Sequence, residues 1–167
     1  MTSPNGDLMF SVKKFSFQDK AMAEPACAIR KVVFVEEQGI AAALEYEHEE
    51  EARHYLLFLN DKPIATARWR ETEKGIKLER FAVLPQFRNC GMGALLLQAV
   101  LRDVSPAQKM IYLHAQLRAV PFYERNGFCK VGAPFTEAGK PHFMMKYPES
   151  AAGLSLPDSR LPHFLGP

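Results

Sequence analysis

The stretch Arg88-Asn89-Cys90-Gly91-Met92-Gly93 joins a strand-like run, "IKLERFAVLP", to an apolar helix, an order of elements suited to gripping a phosphate. Glycines let the main chain approach an anion, and successive N–H groups at a helix N-terminus supply donors and a positive dipole end. Two familiar phosphate loops are excluded by the residues themselves. A P-loop needs Lys followed by Ser or Thr after its second glycine, whereas Ala94-Leu95 follow Gly93. A dinucleotide-binding turn wants GxGxxG opening the first strand–helix unit, but this chain has GxG alone, in mid-sequence, with no acidic residue suitably placed beyond it.

Other residues carry proton chemistry. Strand parity puts Glu79 in a row with Lys77, Phe81 and Val83, and a carboxyl among apolar neighbours should hold its proton more tightly. The alternative for Glu79 is an ion pair with Arg68, Arg70 or Arg80. His142 opens the last strand, as a pocket residue or a simple surface one; His114 alternates with Tyr112 and Gln116, for proton relay or for packing. Cys27, Cys90 and Cys129 are odd in number and scattered, which suggests reduced thiols in a cytoplasmic protein, with no disulfide framework and no metal site.

These side chains need a scaffold. A chain of 167 residues with 47% hydrophobic and 24% charged residues is one globular domain, and a net charge of +2 argues for neither nucleic-acid nor membrane binding. The N-terminus has no basic region followed by a long apolar run, so no signal peptide is expected. Residues 1–9 are expected to be loose, 10–147 to form the domain, and 148–167 to be an irregular tail that closes the pocket or a homodimer contact. "FSVKKFSF" alternates as a strand, and residues 19–39 read as helix with Asp19 as N-cap, Gly39 as stop and Pro25 marking the true start or a kink. "HYLLFLNDKPIATARWR" is a hairpin, Ile76–Leu84 a third strand of that group, and Gly93–Val104 a buried helix with only Gln98, Arg102 and Ser105 on a polar stripe. "KMIYLHAQL" is a strand, "AVPFYERNGF" a short helix ending at Gly127, and "CKVGAPF" and "HFMMKY" the last two strands. The fold class is therefore α/β (α+β), a mixed sheet with helices on both faces.

The glycine loop fits a third pattern, R/Q-x-x-G-x-G/A, which grips the pyrophosphate of acetyl-coenzyme A; a tight turn without a ligand is the plain alternative. Three stretches, "RKVVFVEEQ", "LERFAVLPQFRNCGMGALLL" and "AQLRAVPFYERNGF", carry a resemblance to the GCN5-related N-acetyltransferases, in their ElaA-like branch, over about Phe10 to Tyr147. The resemblance implies a mostly antiparallel sheet of six to seven strands, splayed between the fourth and fifth. It implies transfer of an acetyl group from acetyl-CoA to a primary amine, here a small molecule. The backbone of Phe81, Ala82 and Val83 would line the pantetheine arm, and Arg88, Asn89, Cys90, Gly91, Met92, Gly93 and Ala94 the pyrophosphate. Arg118-Ala119-Val120 stand where many relatives carry an Asn, and Gln116 is the substitute contact.

On this resemblance Tyr123 is the acid that protonates the leaving thiolate, with Glu79 as leading base and His142 and His114 as further candidates. An acetyl-cysteine route through Cys90 lacks a neighbouring base. Phe34 and Trp69 are candidate walls, and Glu36, Glu37, Glu45, Glu47, Glu49, Glu50 and Glu51 are either an acidic rim for a cationic amine or a solvated loop. The rival function is a silent acetyl-CoA-binding module acting through a protein partner; loss of Tyr123 and of every base would have favoured it.

Overall fold

Alternating apolar and polar residues lay down seven strands in the computed structural model, which describes residues 7–149. β1 (Phe10–Phe15), β2 (Arg53–Leu59), β3 (Lys62–Thr72) and β4 (Gly75–Val83) pair antiparallel in sequence order. β5 (Ile111–Gln116) lies parallel to β4, and β7 (Lys140–Tyr147) and β6 (Cys129–Glu137) complete the order β1-β2-β3-β4-β5-β7-β6. The order of elements and the mixed sheet agree with the reading of the sequence. Residues 1–6 and most of the expected tail, 150–167, lie outside the described residues.

Helix α1 (Lys20–Arg30) covers one face of the sheet; α3 (Met92–Val104) and α4 (Val120–Arg125) cover the other. Asp19 caps α1 by accepting from Met22 N at 3.3 Å. Pro25 sits within α1, so it does not mark its start, and the chain passes at Lys31 into a seven-residue π-helix, Lys31–Glu37, instead of continuing as α-helix to Gly39. A short helix, α2 (Ala42–Glu45), lies within the glutamate-rich region that follows. Six side chains of α3 (Met92, Leu96, Leu97, Val100, Leu101, Val104) are buried against the sheet. At roughly 1.5–3 kcal/mol each, that burial fixes where the helix N-terminus points.

The α1 face carries charge into the interior. Arg30 bonds Glu45 Oε1 at 2.7 Å and Glu49 Oε1 at 2.6 Å, and Arg68 bonds the same Glu49 oxygen. Arg30, Glu45 and Arg68 are each 1% exposed. Glu45 and Glu49 are thus internal counter-ions, not members of an acidic rim. His54 stacks on Phe15 and bonds Glu49 O at 2.9 Å, and burial holds its pKa down. Because Arg30 serves both carboxylates, Arg30→Met should leave Glu45 with Arg80 alone and Glu49 with Arg68 alone and cost about 3–5 kcal/mol, measured by urea unfolding.

Candidate active site

A single extra residue opens the sheet. β3 and β4 pair with Thr66 opposite Ala82 and Arg68 opposite Glu79, so Arg80 and Phe81 together face Ala67. Arg80 adopts φ +59°, and its guanidinium bonds Leu44 O at 3.0 Å and Glu45 O at 3.2 Å. β4 and β5 stay paired only from Ile76–Ile111 to Leu78–Leu113 and then part. The gap is a cleft of about 940 Å³.

The bulge corrects the expected strand parity. Glu79 does not share a row with Phe81 and Val83. It lies on the α1 face with Arg68, while Leu78, Phe81 and Val83 pack toward α3. Its expected proton affinity is also overturned. Burial pushes the Glu79 pKa up, but Arg68, Lys77, Arg80 and Arg70 together outweigh it and the net shift is downward. Arg70 Nε donates to Glu79 Oε1 at 2.6 Å, which is the ion-pair alternative. Trp69 points to the α3 side, donating to Tyr55 Oη, and is no wall of the cleft; Phe34 is.

At one end of the cleft lies the glycine loop. Leu95 N is the first amide of α3 to close a helical bond, to Gly91 O at 3.0 Å, and the amides from Asn89 to Ala94 have no backbone partner among the described residues. Gly91 caps α3 at φ +83°, a left-handed conformation costly for any residue with a Cβ. A Cβ on Gly93 would come within 3.3 Å of the Phe122 ring, so this turn of helix sits flush on α4. Unpaired amides at a helix N-terminus beside an open cleft fit a pyrophosphate. Arg88 turns its guanidinium to Val83 O at 2.9 Å and to Glu37 at 2.8 and 3.0 Å. Met92 is buried and offers only backbone, and the Cys90 thiol donates to Phe87 O at 2.8 Å. Ala82 is buried on the α1 side. Gln116 Nε2 donates to Gln38 Oε1 at 2.6 Å where both line the cleft.

Tyr123 lies between the two halves, packed edge-on against the rings of Phe81, Phe122 and Phe128. Its hydroxyl has no hydrogen-bond partner among the described residues, and burial pushes its pKa well up, so the phenol keeps its proton.

The other end holds a cluster of which the sequence showed only the histidines. His142 Nδ1 lies 2.8 Å from Lys140 O. A carbonyl can only accept, so Nδ1 carries a proton, and in the neutral ring it is Nε2 that presents the lone pair. That Nε2 faces Glu137 Oε2 across 3.7 Å, and Glu137 Oε1 lies 3.1 Å from His114 Nδ1. The bond to His114 and the charge of Lys77 hold the Glu137 pKa down to about 2. Glu137 was missed because it ends β6 just before a two-residue turn, Ala138 (φ +48°) and Gly139 (φ +72°). Register between β6 and β7, invisible in one sequence, folds it back over His142.

A bulged fourth strand, a cleft beside it and a helix N-terminus at one end are the arrangement expected of the acyl-CoA-dependent acyltransferases that the sequence resembles. Residues 21–148 match the family model of the acetyltransferase (GNAT) domain. The chain is 32% identical over 131 residues to the uncharacterized N-acetyltransferase YjcF of Bacillus subtilis, covering 77% of this chain and 94% of that one. Its fold is similar to that of Escherichia coli ElaA (TM-score 0.75, 24% identity, 84% of this chain and 100% of that one). An acyl-CoA N-acyltransferase from Pseudomonas aeruginosa has the same fold (TM-score 0.72, 22% identity, 85% and 100%). The chain belongs to the GNAT acetyltransferase family and is an N-acetyltransferase. Among the described residues, no helix is long and apolar enough to cross a membrane.

Glu137 links the site to acid stability. Its folded pKa of about 2 is below that of an unfolded glutamate, so its stabilisation is present above the unfolded value and lost as pH falls toward 2. The unfolding free energy of the wild type minus that of Glu137→Gln should therefore be constant near neutrality. It should shrink from about pH 4.3 downward, as measured by urea titrations at several pH values.

Proposed function

We propose that the protein acetylates the primary amine of a small molecule with acetyl-CoA, by direct attack in the cleft between β4 and β5. What carries this reading is the arrangement around the open strand edge: free amides at one end, the buried Tyr123 phenol between, and the His142–Glu137–His114 cluster at the other. Acetyl-CoA supplies an activated thioester, and the amides from Asn89 to Ala94, with Arg88, would hold its pyrophosphate. The Phe81–Val83 edge, which lacks a strand partner on the β5 side, would take the pantetheine arm, with Gln116 and Arg88 exchanging their present bonds for it.

Attack needs a neutral amine. An alkylammonium with pKa near ~10.4 is neutral in only about one molecule in 10³ near pH 7.4, a deficit of roughly 4 kcal/mol. His142 Nε2 is the group suited to take the proton, since its lone pair is fixed by the Nδ1 bond to Lys140 O. The 3.7 Å gap to Glu137 Oε2 is too wide for a direct hydrogen bond, so an N–H placed there would bond to both, and the carboxylate would offset the imidazolium that forms. Glu79, ionised and held by Arg70, is a weak base and serves better as a fixed charge. Tyr123, which keeps its proton, would give it to the departing thiolate.

The test is thiol release from acetyl-CoA with an amine panel. Tyr123→Phe and His142→Gln should each lower kcat by about 10²-fold or more while acetyl-CoA affinity by calorimetry is unchanged. Full activity in both variants would remove these roles, and absence of acetyl-CoA binding to the wild type at millimolar concentration would remove the reading itself.

A further inference from the structure

The acceptor end of the cleft holds more positive charge than recognition of an amine requires. Arg70, Lys77 and Arg80 line it from β3 and β4. Amid them stands one carboxylate, Glu79, with Arg70 at 2.6 Å, Arg68 at 3.4 Å, Lys77 at 3.9 Å and Arg80 at 4.0 Å. Immediately behind, Arg30 and Arg68 share Glu45 and Glu49. The cations Arg30, Arg68, Arg70, Lys77 and Arg80 thus face the carboxylates Glu45, Glu49 and Glu79, with Glu137 across the cleft and Glu47 at its rim.

These cations are not equally paired. Arg30 is saturated by Glu45 and Glu49, and Arg80 is spent on Leu44 O and Glu45. Lys77 is different. Its side chain is 12% exposed, and its nearest carboxylate oxygen, at 3.9 Å, is beyond hydrogen-bond reach. It makes no hydrogen bond to any described residue, and burial pushes its pKa down. An ammonium drawn from water without an acceptor is costly, and the cost is removed when a ligand oxygen arrives. Beside it, Arg70 commits Nε to Glu79 and leaves its two terminal nitrogens without a hydrogen-bond partner among the described residues. A cation could approach Glu79 Oε2 only between Lys77 and Arg80, so that oxygen is no site for a second ammonium.

We propose that Lys77 and Arg70 form an anion subsite, and that the acceptor is an amine that also carries a carboxylate, as an amino acid does. Its nitrogen lies at the His142–Glu137 gap and its carboxylate at Lys77 and Arg70 on the opposite wall. The proposal rests on the acetyl-transfer reading for the position of the nitrogen, but the anion subsite can be read without turnover.

The experiment pairs each of a set of α- and ω-amino acids with the amine left when its carboxylate is removed. Thiol release should favour the carboxylate-bearing member of at least one pair by roughly tenfold or more in kcat/KM, the scale of one charge-assisted hydrogen bond. Lys77→Met, which keeps the apolar stem, should abolish that preference by raising KM for the amino acid much more than for the bare amine; Lys77→Arg should restore it. Equal turnover within every pair, or an equal loss for both members in Lys77→Met, overturns the subsite. Calorimetry with the enzyme saturated with CoA separates the two readings. Amino-acid binding that is lost in Lys77→Met, without turnover of any amine, supports the subsite and overturns acetyl transfer to this acceptor. Turnover of bare amines with no amino-acid binding overturns the subsite and spares acetyl transfer.

Discussion

One backbone residue in the left-handed region determines most of what this molecule can do. Arg80, at φ +59°, inserts an extra residue into β4, and a non-glycine residue held there costs about 1–2 kcal/mol. Its own side chain offsets the cost through Leu44 O, Glu45 O and the Glu45 carboxylate. The bulge turns β4 away from β5 after Leu78, and a strand edge that would otherwise be paired faces a cleft. Backbone donors and acceptors cannot stay unpaired away from water, so such an edge calls for a ligand that can pair with it as a strand would.

The same residue joins the cleft to the buried ionic network. Glu45 is shared by Arg80 and Arg30, Glu49 by Arg30 and Arg68, and Glu79 by Arg68 and Arg70. The chain of charges runs from α1 through the 45–49 segment to β3 and β4, buried at Arg30 and Arg68 and half-buried at Arg70 and Arg80. Such a network contributes little net stability, because desolvation offsets most of its attraction, but it allows few arrangements. It fixes the segment that borders the acceptor end against the strand that carries the bulge.

Electrostatically the two ends of the cleft differ. At the α3 end the field comes mainly from main-chain amides, with the Arg88 guanidinium beside them, since Met92 is buried and Cys90 spends its thiol on Phe87 O. At the acceptor end it comes from side chains on four strands, Arg70, Lys77, Glu137 and His142, which meet only through pairing. Tyr123 lies between, packed edge-on against three rings, and burial keeps its proton in place.

Much was legible from order and local chemistry. Seven strands, the glycine turn into a buried helix, the Asp19 cap and the alternation of His114 with Leu113 and Ala115 follow from residue type and short-range spacing. Periodicity failed where a long-range contact overrode it. No pattern within β4 announces that Arg80 will bond the 44–45 turn, so Glu79 was placed on the wrong face and given apolar neighbours it does not have. Likewise Glu45 and Glu49 read as solvated acid until Arg30 and Arg68 are brought beside them, and Glu137 read as nothing until β6 folded back on β7. The sequence by itself determined the elements, the glycine turn into α3 and the buried phenol's helix, because each depends on a few consecutive residues. Only the tertiary structure decided which charges meet in the cleft, because a side chain's proton affinity and partner depend on neighbours brought together by strand register.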